Sequence, residues 1–252
     1  IVHLASRSSG KELIGRARLM GLPFSLVSEK IKTSGWCQIK SSGDSKSYPK
    51  RGAKVVDFSS LWAGPLCSHI LADCGFEVTK VESAQRPDNS KVGSNRFYRL
   101  LNDGKKIVHL DLAGEFEKLE ALLDDADIII EGSRPRALRQ LGICSDTYLE
   151  KGKLWLSLTA YGRSTQTQNW VGFGDDVAAS AGAVFYLDGK PRFYGDAVAD
   201  PLAGMLSAYA LIHCCHKGIR GMIDLSLYSA TRFCVEQSGV IFEETHEPTL
   251  RC

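Results

Sequence analysis

Short β-rich runs alternate with helical patterns from residue 53 onward, and this alternation constrains the fold more than any other feature. Predicted strands cover residues 54–58, 76–82, 107–110, 127–130, 154–159 and 222–227. Predicted helices cover residues 65–73, 114–123, 135–141, 177–184, 200–217 and 228–239. Such alternation is typical of a parallel sheet with helices on both faces, which binds ligands at the carboxyl ends of its strands. The sequence therefore predicts an α/β fold, a Rossmann-like parallel sheet with flanking helices.

The segments outside this region divide the chain further. Residues 1–40 contain one amphipathic helical pattern, too short to form a domain alone. Residues 41–52 are rich in serine and charge and include Pro49 and Gly52, which is typical of a linker. We therefore expect a helical arm at 1–40, a linker at 41–52, an α/β domain at 53–240 and a tail at 241–252.

Composition excludes several classes of function. The chain has 31 basic and 29 acidic residues and a formal net charge of +2, so nothing favours a nucleic acid or an anionic membrane as partner. The eight cysteines lack C-x-x-C spacing, and no metal site is predicted. Since the chain shows no secretory signal and no membrane span, we expect a cytoplasmic protein. It begins with Ile, so we also expect a fragment of a longer chain.

The turn after the first predicted strand argues against a nicotinamide dehydrogenase. A G-x-G-x-x-G fingerprint is absent there, and Ala63-Gly64-Pro65 stands in its place. A glycine lets the backbone approach a ligand, and proline presets the first turn of a helix. Taken alone, this tripeptide indicates only a tight strand-to-helix turn.

Asp200 has two interpretations. Followed by Pro201 at the start of a long apolar helix, it has the pattern of a helix N-cap. A carboxylate at a helix N-terminus also stays ionised more easily, which would suit a nucleophile. Both interpretations stay open on the residues alone. Asp175 and Asp176, after Gly174, have the pattern of acids in the first turn of another helix.

Several sequence blocks occur in the order found in the family III CoA-transferases, the group of formyl-CoA transferase and carnitine CoA-transferase. The first is the AGP turn, followed by a helix ending in ADCGFEV and by TKVES. NDGKKIVHLDL, ADIIIEGSRPRALRQLG and IRGMIDLSL follow in register. Each block is weak, but together they span roughly residues 53–235. The sequence therefore resembles the large, CoA-binding domain of that family, without most of the small domain and the C-terminal return.

The resemblance implies a substrate and a mechanism. No permanently bound cofactor is expected; coenzyme A and acyl-CoA are substrates, and a carboxylic acid is the acceptor. Asp200 takes the position of the family's nucleophile, which attacks the acyl-CoA and carries CoA as an aspartyl thioester. The oxyanion would be held by a glycine-rich loop from a later segment. The resemblance also implies an interlocked homodimer.

The same resemblance implies a set of CoA contacts. They lie in the loop after the first strand, in the EGSRP turn and in its following helix, with nearby lysines and arginines as phosphate ligands. The expected contacts are Ser60, Leu61, Trp62, Ala63, Lys105, Lys106, Gly132, Ser133, Arg134, Arg139 and Gln140. Arg136 is a further basic candidate. The positions of Trp62, Gly132-Ser133 and Gln140 differ from the formyl-CoA transferase pattern of Gln, Asn-Phe and Arg.

Two alternatives remain beside a CoA-transferase. The α-methylacyl-CoA racemases share the fold and use a His-Asp pair, but Phe173 stands here where their histidine is expected, and it cannot carry a proton. A partial CoA-binding module without turnover is the other. KELIGRARLMGLPFS in the N-terminal arm resembles a helix of the family's small domain, which suggests a tandem fusion of two such units.

Overall fold

The structure of the protein is a computed structural model that describes residues 8–44, 52–83, 87–91, 95–112, 114–133 and 135–238. The strands are β1 Cys37–Asp44, β2 Lys54–Asp57, β3 Glu77–Ser83, β4 Lys106–Leu110, β5 Ile128–Glu131, β6 Leu154–Thr159, β7 Val184–Leu187, β8 Lys190–Phe193 and β9 Ile219–Ser226. The α-helices are α1 Gly10–Leu19, α2 Ala63–Asp73, α3 Asn95–Asn102, α4 Phe116–Asp125, α5 Pro135–Gln140, α6 Ser145–Glu150, α7 Gly174–Ser180, α8 Ala199–Lys217 and α9 Leu227–Gln237.

A seven-stranded sheet forms the centre of the α/β region, in the order β1-β9-β6-β5-β2-β3-β4. Every neighbouring pair from β9 to β4 is parallel, and β1 joins β9 antiparallel at the edge. Helices connect the parallel strands, because the chain must return to the other end of the sheet before each new parallel strand begins. The predicted α/β fold, a mostly parallel sheet with flanking helices, is confirmed.

The central strands are apolar because both faces of the sheet are covered. All four residues of β5 are buried, and the side chains of successive residues point to opposite faces. Ile128 and Ile130 join one core cluster with Leu211 of α8, whereas Ile129 joins the other with Trp155. The two cores hold the sheet between two layers of helices. Because the neighbouring strands from β9 to β4 are parallel, their carboxyl ends lie along one edge of the sheet.

The predicted linker is partly a strand. Residues 41–44 form the end of β1, where Ser41 pairs with Gly221 of β9. This part of the linker prediction is wrong because pairing with a distant strand outweighs a polar local sequence. Residues 45–51 lie outside the described residues, as does the whole predicted tail at 241–252.

The N-terminal arm contains the expected helix and packs on the α/β region. In α1, Ile14 and Ala17 are buried. Beyond the helix, Tyr228 donates to the carbonyl of Glu29 at 2.6 Å, and Ser28 N–H donates to the carbonyl of Ala179 at 2.9 Å. These contacts hold the arm against α7 and α9. The origin of the arm in a preceding unit stays a prediction.

The region between β6 and α8 differs from the sequence prediction. The helix expected at 177–184 is α7, which starts at Gly174 and ends at Ser180. A two-stranded hairpin of β7 and β8 follows, in which Val184 pairs with Phe193.

Two helices elsewhere in the chain, α3 and α6, were not predicted from the sequence either. Among the described helices, none is both long enough and apolar enough to span a membrane.

Candidate active site at the carboxyl edge of the sheet

The loop after β2 is folded tightly on itself at the carboxyl edge of the sheet. A Cβ added to Gly64 would lie less than 3 Å from the side chain of Ser59, so only glycine fits there. Asp57 is fully buried, and its carboxylate accepts from the backbone N–H of Ser59 at 2.8 Å and from the hydroxyls of Ser59 and Ser68. The buried hydrogen bonds of Asp57 therefore hold the AGP turn in place.

Asp200 lies within the first turn of α8. The helix begins at Ala199 with Val198 at the N-cap position, and the Asp200 N–H donates to the carbonyl of Ala197 at 2.9 Å. The N-cap interpretation of Asp200 is therefore wrong, because Asp200 lies inside the helix and no side chain caps the helix N-terminus. The backbone N–H of Ala63, the first residue of α2, acts on the Asp200 carboxylate and favours its charged form.

Three helix N-termini meet at the Asp200 carboxylate. Ala63 begins α2, Gly174 begins α7 and Asp200 is in the first turn of α8. A Cβ on Gly174 would lie less than 3 Å from Asp200 Oδ2, and a Cβ on Gly204 would lie 2.6 Å from the carbonyl oxygen of Ala63. These two glycines permit the close approach of the helices. The positive ends of the helix dipoles favour a carboxylate at this point.

Burial nevertheless outweighs those dipoles in the ionisation of Asp200. Burial raises the pKa of Asp200 to about 6, the Ala63 N–H acts in the opposite direction, and the charges of Asp175 and Asp176 raise the pKa further. A carboxyl group with this pKa is still about nine-tenths ionised at pH 7. It is also more basic than an exposed aspartate, a property that favours nucleophilic attack.

The two acids of α7 stabilise the neighbouring turns. Asp176 accepts from the N–H of Phe173 at 2.6 Å and lies 3.3 Å from the hydroxyl of Tyr161. Asp175 accepts from the N–H of Ala197 at 2.8 Å. Both lie in the first turn of α7, as the sequence indicates. Ala197 has a positive φ of 48°, so its turn is strained and depends on this hydrogen bond.

A cavity of about 570 Å³ lies at the carboxyl ends of β2, β3 and β5. Three predicted CoA contacts, Ser60, Ser133 and Gln140, are in its wall, together with Lys80 and Leu138. The hydroxyl oxygen of Ser133 is buried and, among the residues that the structure describes, has no hydrogen-bond partner. A polar ligand in the cavity could supply that partner, because buried hydroxyls rarely remain unpaired.

The other predicted contacts in these loops are positioned as follows. Gly132 lies against Ser59, Trp62 packs edge-on against Phe97 at 5.1 Å, and Arg139 is exposed on α5. Arg134 lies outside the described residues, and the side chain of Arg136 is not described. The loop residues therefore share one edge of the sheet.

The predictions for the two lysines require correction. Lys105 is buried, and its ammonium group donates to Pro65 O at 2.8 Å, to Ser68 Oγ at 2.7 Å and to Asn102 Oδ1 at 3.0 Å. Burial lowers the pKa of Lys105 to about 8, although the nearby carboxylate of Asp57 opposes this change. All three N–H donors are committed inside the protein, so Lys105 is unavailable to a phosphate.

Lys106 is exposed but lies at the opposite edge of the sheet. It is the first residue of β4 and borders a depression shared with Lys54 and Phe76, at the amino ends of the parallel strands. Since Ser60 and Ser133 follow the carboxyl ends, Lys106 cannot contact the same ligand group. Because Lys106 immediately precedes the strand predicted at 107–110, the sequence order already indicated the amino end.

The sequence analysis did not identify the buried ion pair of Lys80 and Asp88, which supports the loop after β2. Lys80 of β3 is fully buried, and its ammonium nitrogen lies 3.2 Å from Asp88 Oδ2. A signal was available, because the charged residues Lys80 and Glu82 lie on the same face of β3 as the buried Val78. A charged residue at such a position is rarely buried without a specific partner. A second pair was missed as well: Arg163 contacts Glu131 Oε1 at 2.7 Å.

Comparison with known proteins agrees with this geometry. The sequence model of CoA-transferase family III matches residues 51–247. A probable fatty acyl-CoA transferase of Mycobacterium tuberculosis, Rv3272, is 31% identical over 199 residues, covering 71% of this chain and 50% of the relative. A succinate–glutarate CoA-transferase of Agrobacterium fabrum is 25% identical over 227 residues, covering 81% and 57% respectively. The chain thus spans about half the length of the curated relatives it matches.

Solved structures show the same fold. The crystal structure of Rv3272 superposes with a TM-score of 0.68 at 27% identity, covering 80% of this chain and 61% of that one. A CaiB/BaiF family protein of Brucella suis gives a TM-score of 0.68 at 23% identity, covering 76% and 56%, and supports the fold alone. The fold and the matched region define an α/β protein of the CoA-transferase class. The chain belongs to CoA-transferase family III.

Proposed function

We propose that the protein containing this chain transfers CoA from an acyl-CoA to a carboxylic acid, with Asp200 as the covalent nucleophile. The observation that carries the proposal is the Asp200 carboxylate itself, half-buried against Gly174 and near the N–H of Ala63, which favours its charged form. It lies where three helices begin, and its pKa of about 6 leaves it ionised at neutral pH. A half-buried, ionised and fixed carboxylate is what acyl transfer requires.

In the proposed reaction, one oxygen of the Asp200 carboxylate attacks the thioester carbonyl and expels CoA thiolate, giving a mixed anhydride. The thiolate attacks the aspartyl carbonyl of the anhydride and releases the donor acid, which leaves an aspartyl-CoA thioester. The acceptor carboxylate then attacks this thioester, again forming an anhydride and a thiolate. Attack of the thiolate on the acceptor acyl carbon gives the new acyl-CoA and frees Asp200. The Ala63 N–H orients the attacking carboxylate throughout.

The cavity beside the loop is the proposed position of part of CoA. Its volume of about 570 Å³ falls within the range usual for ligand sites. Ser60, Ser133 and Gln140 offer polar groups, and the unpaired hydroxyl of Ser133 would gain a partner. Leu61, Trp62, Ala63 and Gly132 border the same edge. Arg134 and Arg139 remain the proposed phosphate ligands.

We also propose a homodimer that acts in the cytosol. Four large apolar residues of the β7–β8 region, Tyr186, Leu187, Phe193 and Tyr194, are each about half exposed. Apolar surface of this kind often marks a protein interface. The described cysteines are free thiols, which suits a reducing compartment. Light scattering of the purified full-length protein would give the oligomeric state.

The test of the proposed function is mass spectrometry of the full-length protein after incubation with an acyl-CoA. We expect a CoA thioester at Asp200 that hydroxylamine removes and that is absent in Asp200→Asn. Turnover without this adduct, or an adduct at another residue, would contradict the proposal. Deuterium exchange at Cα without CoA transfer would indicate the racemase instead. CoA binding with neither reaction would indicate a partial CoA-binding module.

A further inference from the structure

The turn that leads into α2 is held by a buried ion pair, Lys80 and Asp88, in the wall of the candidate cavity. Lys80 of β3 donates to the carbonyl oxygen of Ser59 at 2.7 Å, and its ammonium nitrogen lies 3.2 Å from Asp88 Oδ2. The side chains of Lys80 and Asp88 are almost completely buried. Neither Lys80 nor Asp88 was among the predicted CoA contacts, and their two charges neutralise each other.

Asp88 also binds the backbone of the turn. Its Oδ1 accepts from the N–H of Leu61 at 3.1 Å, and from the N–H and hydroxyl of Ser90 at 3.0 and 2.7 Å. Leu61 has a φ of +70°, a left-handed conformation that an L-residue with a Cβ rarely adopts. The hydrogen bond from Leu61 to Asp88 therefore holds a conformation that the local sequence does not favour.

Leu61 lies only two residues before Ala63, whose N–H contacts the Asp200 carboxylate. The start of α2 is also clamped from the other side, because the carbonyl of Ala63 packs against Gly204. A rotation of the turn at Leu61 would therefore move the Ala63 N–H relative to Asp200. Asp88 is connected to the proposed nucleophile by a short, packed stretch of backbone.

We infer that Asp88 is a positioning residue: by holding the left-handed turn at Leu61, it keeps the Ala63 N–H directed at the Asp200 carboxylate. This inference rests on the proposed role of Asp200 as nucleophile and adds a residue that acts on the reacting carboxylate through the backbone of the turn. Lys80 supports it by neutralising Asp88 and by fixing Ser59. The proton affinity of Asp200 thus depends on the turn that Asp88 holds.

The direction in which the proton affinity of Asp200 changes distinguishes a positioning role of Asp88 from a direct effect of the Asp88 charge. In Asp88→Ala, loss of a negative charge by itself would lower the proton affinity of Asp200. Loss of the directed N–H would raise it, because a hydrogen bond to a carboxylate favours the charged form. Because a hydrogen bond to a charged group is stronger than one between neutral groups, we expect the proton affinity of Asp200 to rise about tenfold.

The experiment is a ¹³C NMR titration of the Asp200 carboxyl group in the full-length protein, assigned by comparison with Asp200→Asn. We expect Asp88→Ala to move the midpoint upward by about one pH unit, and the acid limb of kcat/KM to move with it. Asp88→Asn keeps an amide oxygen as acceptor for Leu61 N–H but removes the charge, so it should lose stability and should not move the midpoint upward. Ser90→Ala is the matched control and should leave the midpoint unchanged.

Two results would overturn the inference. A lower midpoint in Asp88→Ala would show a direct charge effect, and an unchanged midpoint with lower stability would show a structural role alone. Failure of the proposed function is separately visible, because an active Asp200→Asn protein or a missing adduct would exclude Asp200 as nucleophile. The NMR titration would still report whether Asp88 positions the Ala63 N–H.

Discussion

The Asp200 carboxylate occupies the space where a side chain of residue 174 would be. A Cβ built on Gly174 would lie less than 3 Å from Asp200 Oδ2 and from both Cα and Cβ of Ala197. The start of α7 and the start of α8 can therefore approach each other only because residue 174 is a glycine. This contact fixes one side of the carboxylate, and the Ala63 N–H fixes the other.

Gly174→Ala should abolish most of the transferase activity, since the added methyl group must displace either Asp200 or the turn at Ala197. We expect kcat to fall at least tenfold and stability to fall by about 1–3 kcal/mol, the usual cost of overpacking. Steady-state kinetics and urea unfolding measure the two effects. Gly15→Ala in α1 is the control, because nothing lies within 4 Å of its Cβ position. Wild-type activity in Gly174→Ala would contradict the assigned geometry.

The pH dependence of kcat/KM should show an acid limb near pH 6. The ionised Asp200 is the proposed nucleophile, and its pKa is raised by burial to about 6. Activity should therefore rise with pH below about 6 and level off above it. A limb near pH 4, the usual range of an exposed aspartate, would show that Asp200 is not desolvated in the working enzyme.

Asp200→Asn should stabilise the protein at pH 7 and above. Because the pKa of Asp200 is higher in the folded protein than in the unfolded chain, its charged form disfavours folding. This cost is absent below the unfolded pKa of about 4, grows up to about pH 6 and is full above that. We expect a gain of about 3 kcal/mol at pH 7.5 in urea unfolding, disappearing near pH 4. Asn keeps an oxygen that accepts from Ala63, so the change isolates the charge.

Arg163→Ala should destabilise the protein strongly because it leaves Glu131 unpaired. Glu131 is 2% exposed, and its carboxylate binds Arg163 and Ser157, each at 2.7 Å. Removing one member of a buried pair typically costs about 3–5 kcal/mol. Burial already raises the pKa of Glu131, and loss of Arg163 raises it further. The penalty should therefore shrink as pH falls, when Glu131 takes up a proton.

A double variant tests the cause of that penalty. Glu131→Gln with Arg163→Ala removes the buried charge together with its partner, so the double variant should be more stable than Arg163→Ala alone at pH 7.5. Urea unfolding at pH 5.5 and 7.5 measures both comparisons. An equal loss of stability in the two proteins, independent of pH, would point to lost packing of the Arg163 side chain instead.

Much of the fold follows from the sequence because it depends on local periodicity. The six parallel strands were predicted nearly at their observed bounds, since buried strands such as Ile128–Glu131 are short apolar runs between turns. Strand β1 and the β7–β8 hairpin were not predicted. The first gains its stability from pairing with β9, and the second is half exposed, so neither carries a strong local signal.

The candidate site likewise has some features that the sequence predicts and others that depend on tertiary contacts. The sequence determined the AGP turn, the aspartate near the start of the long helix, and the family, because these are patterns along the chain. Tertiary structure alone decided that Asp200 faces Ala63 and Gly174 and that Lys105 points inward. The buried ammonium of Lys105 needs acceptors from helices α2 and α3. The pKa of Asp200 depends on how much water the packing of α2, α7 and α8 excludes. Such contacts join residues far apart in the chain, and only folding brings them together.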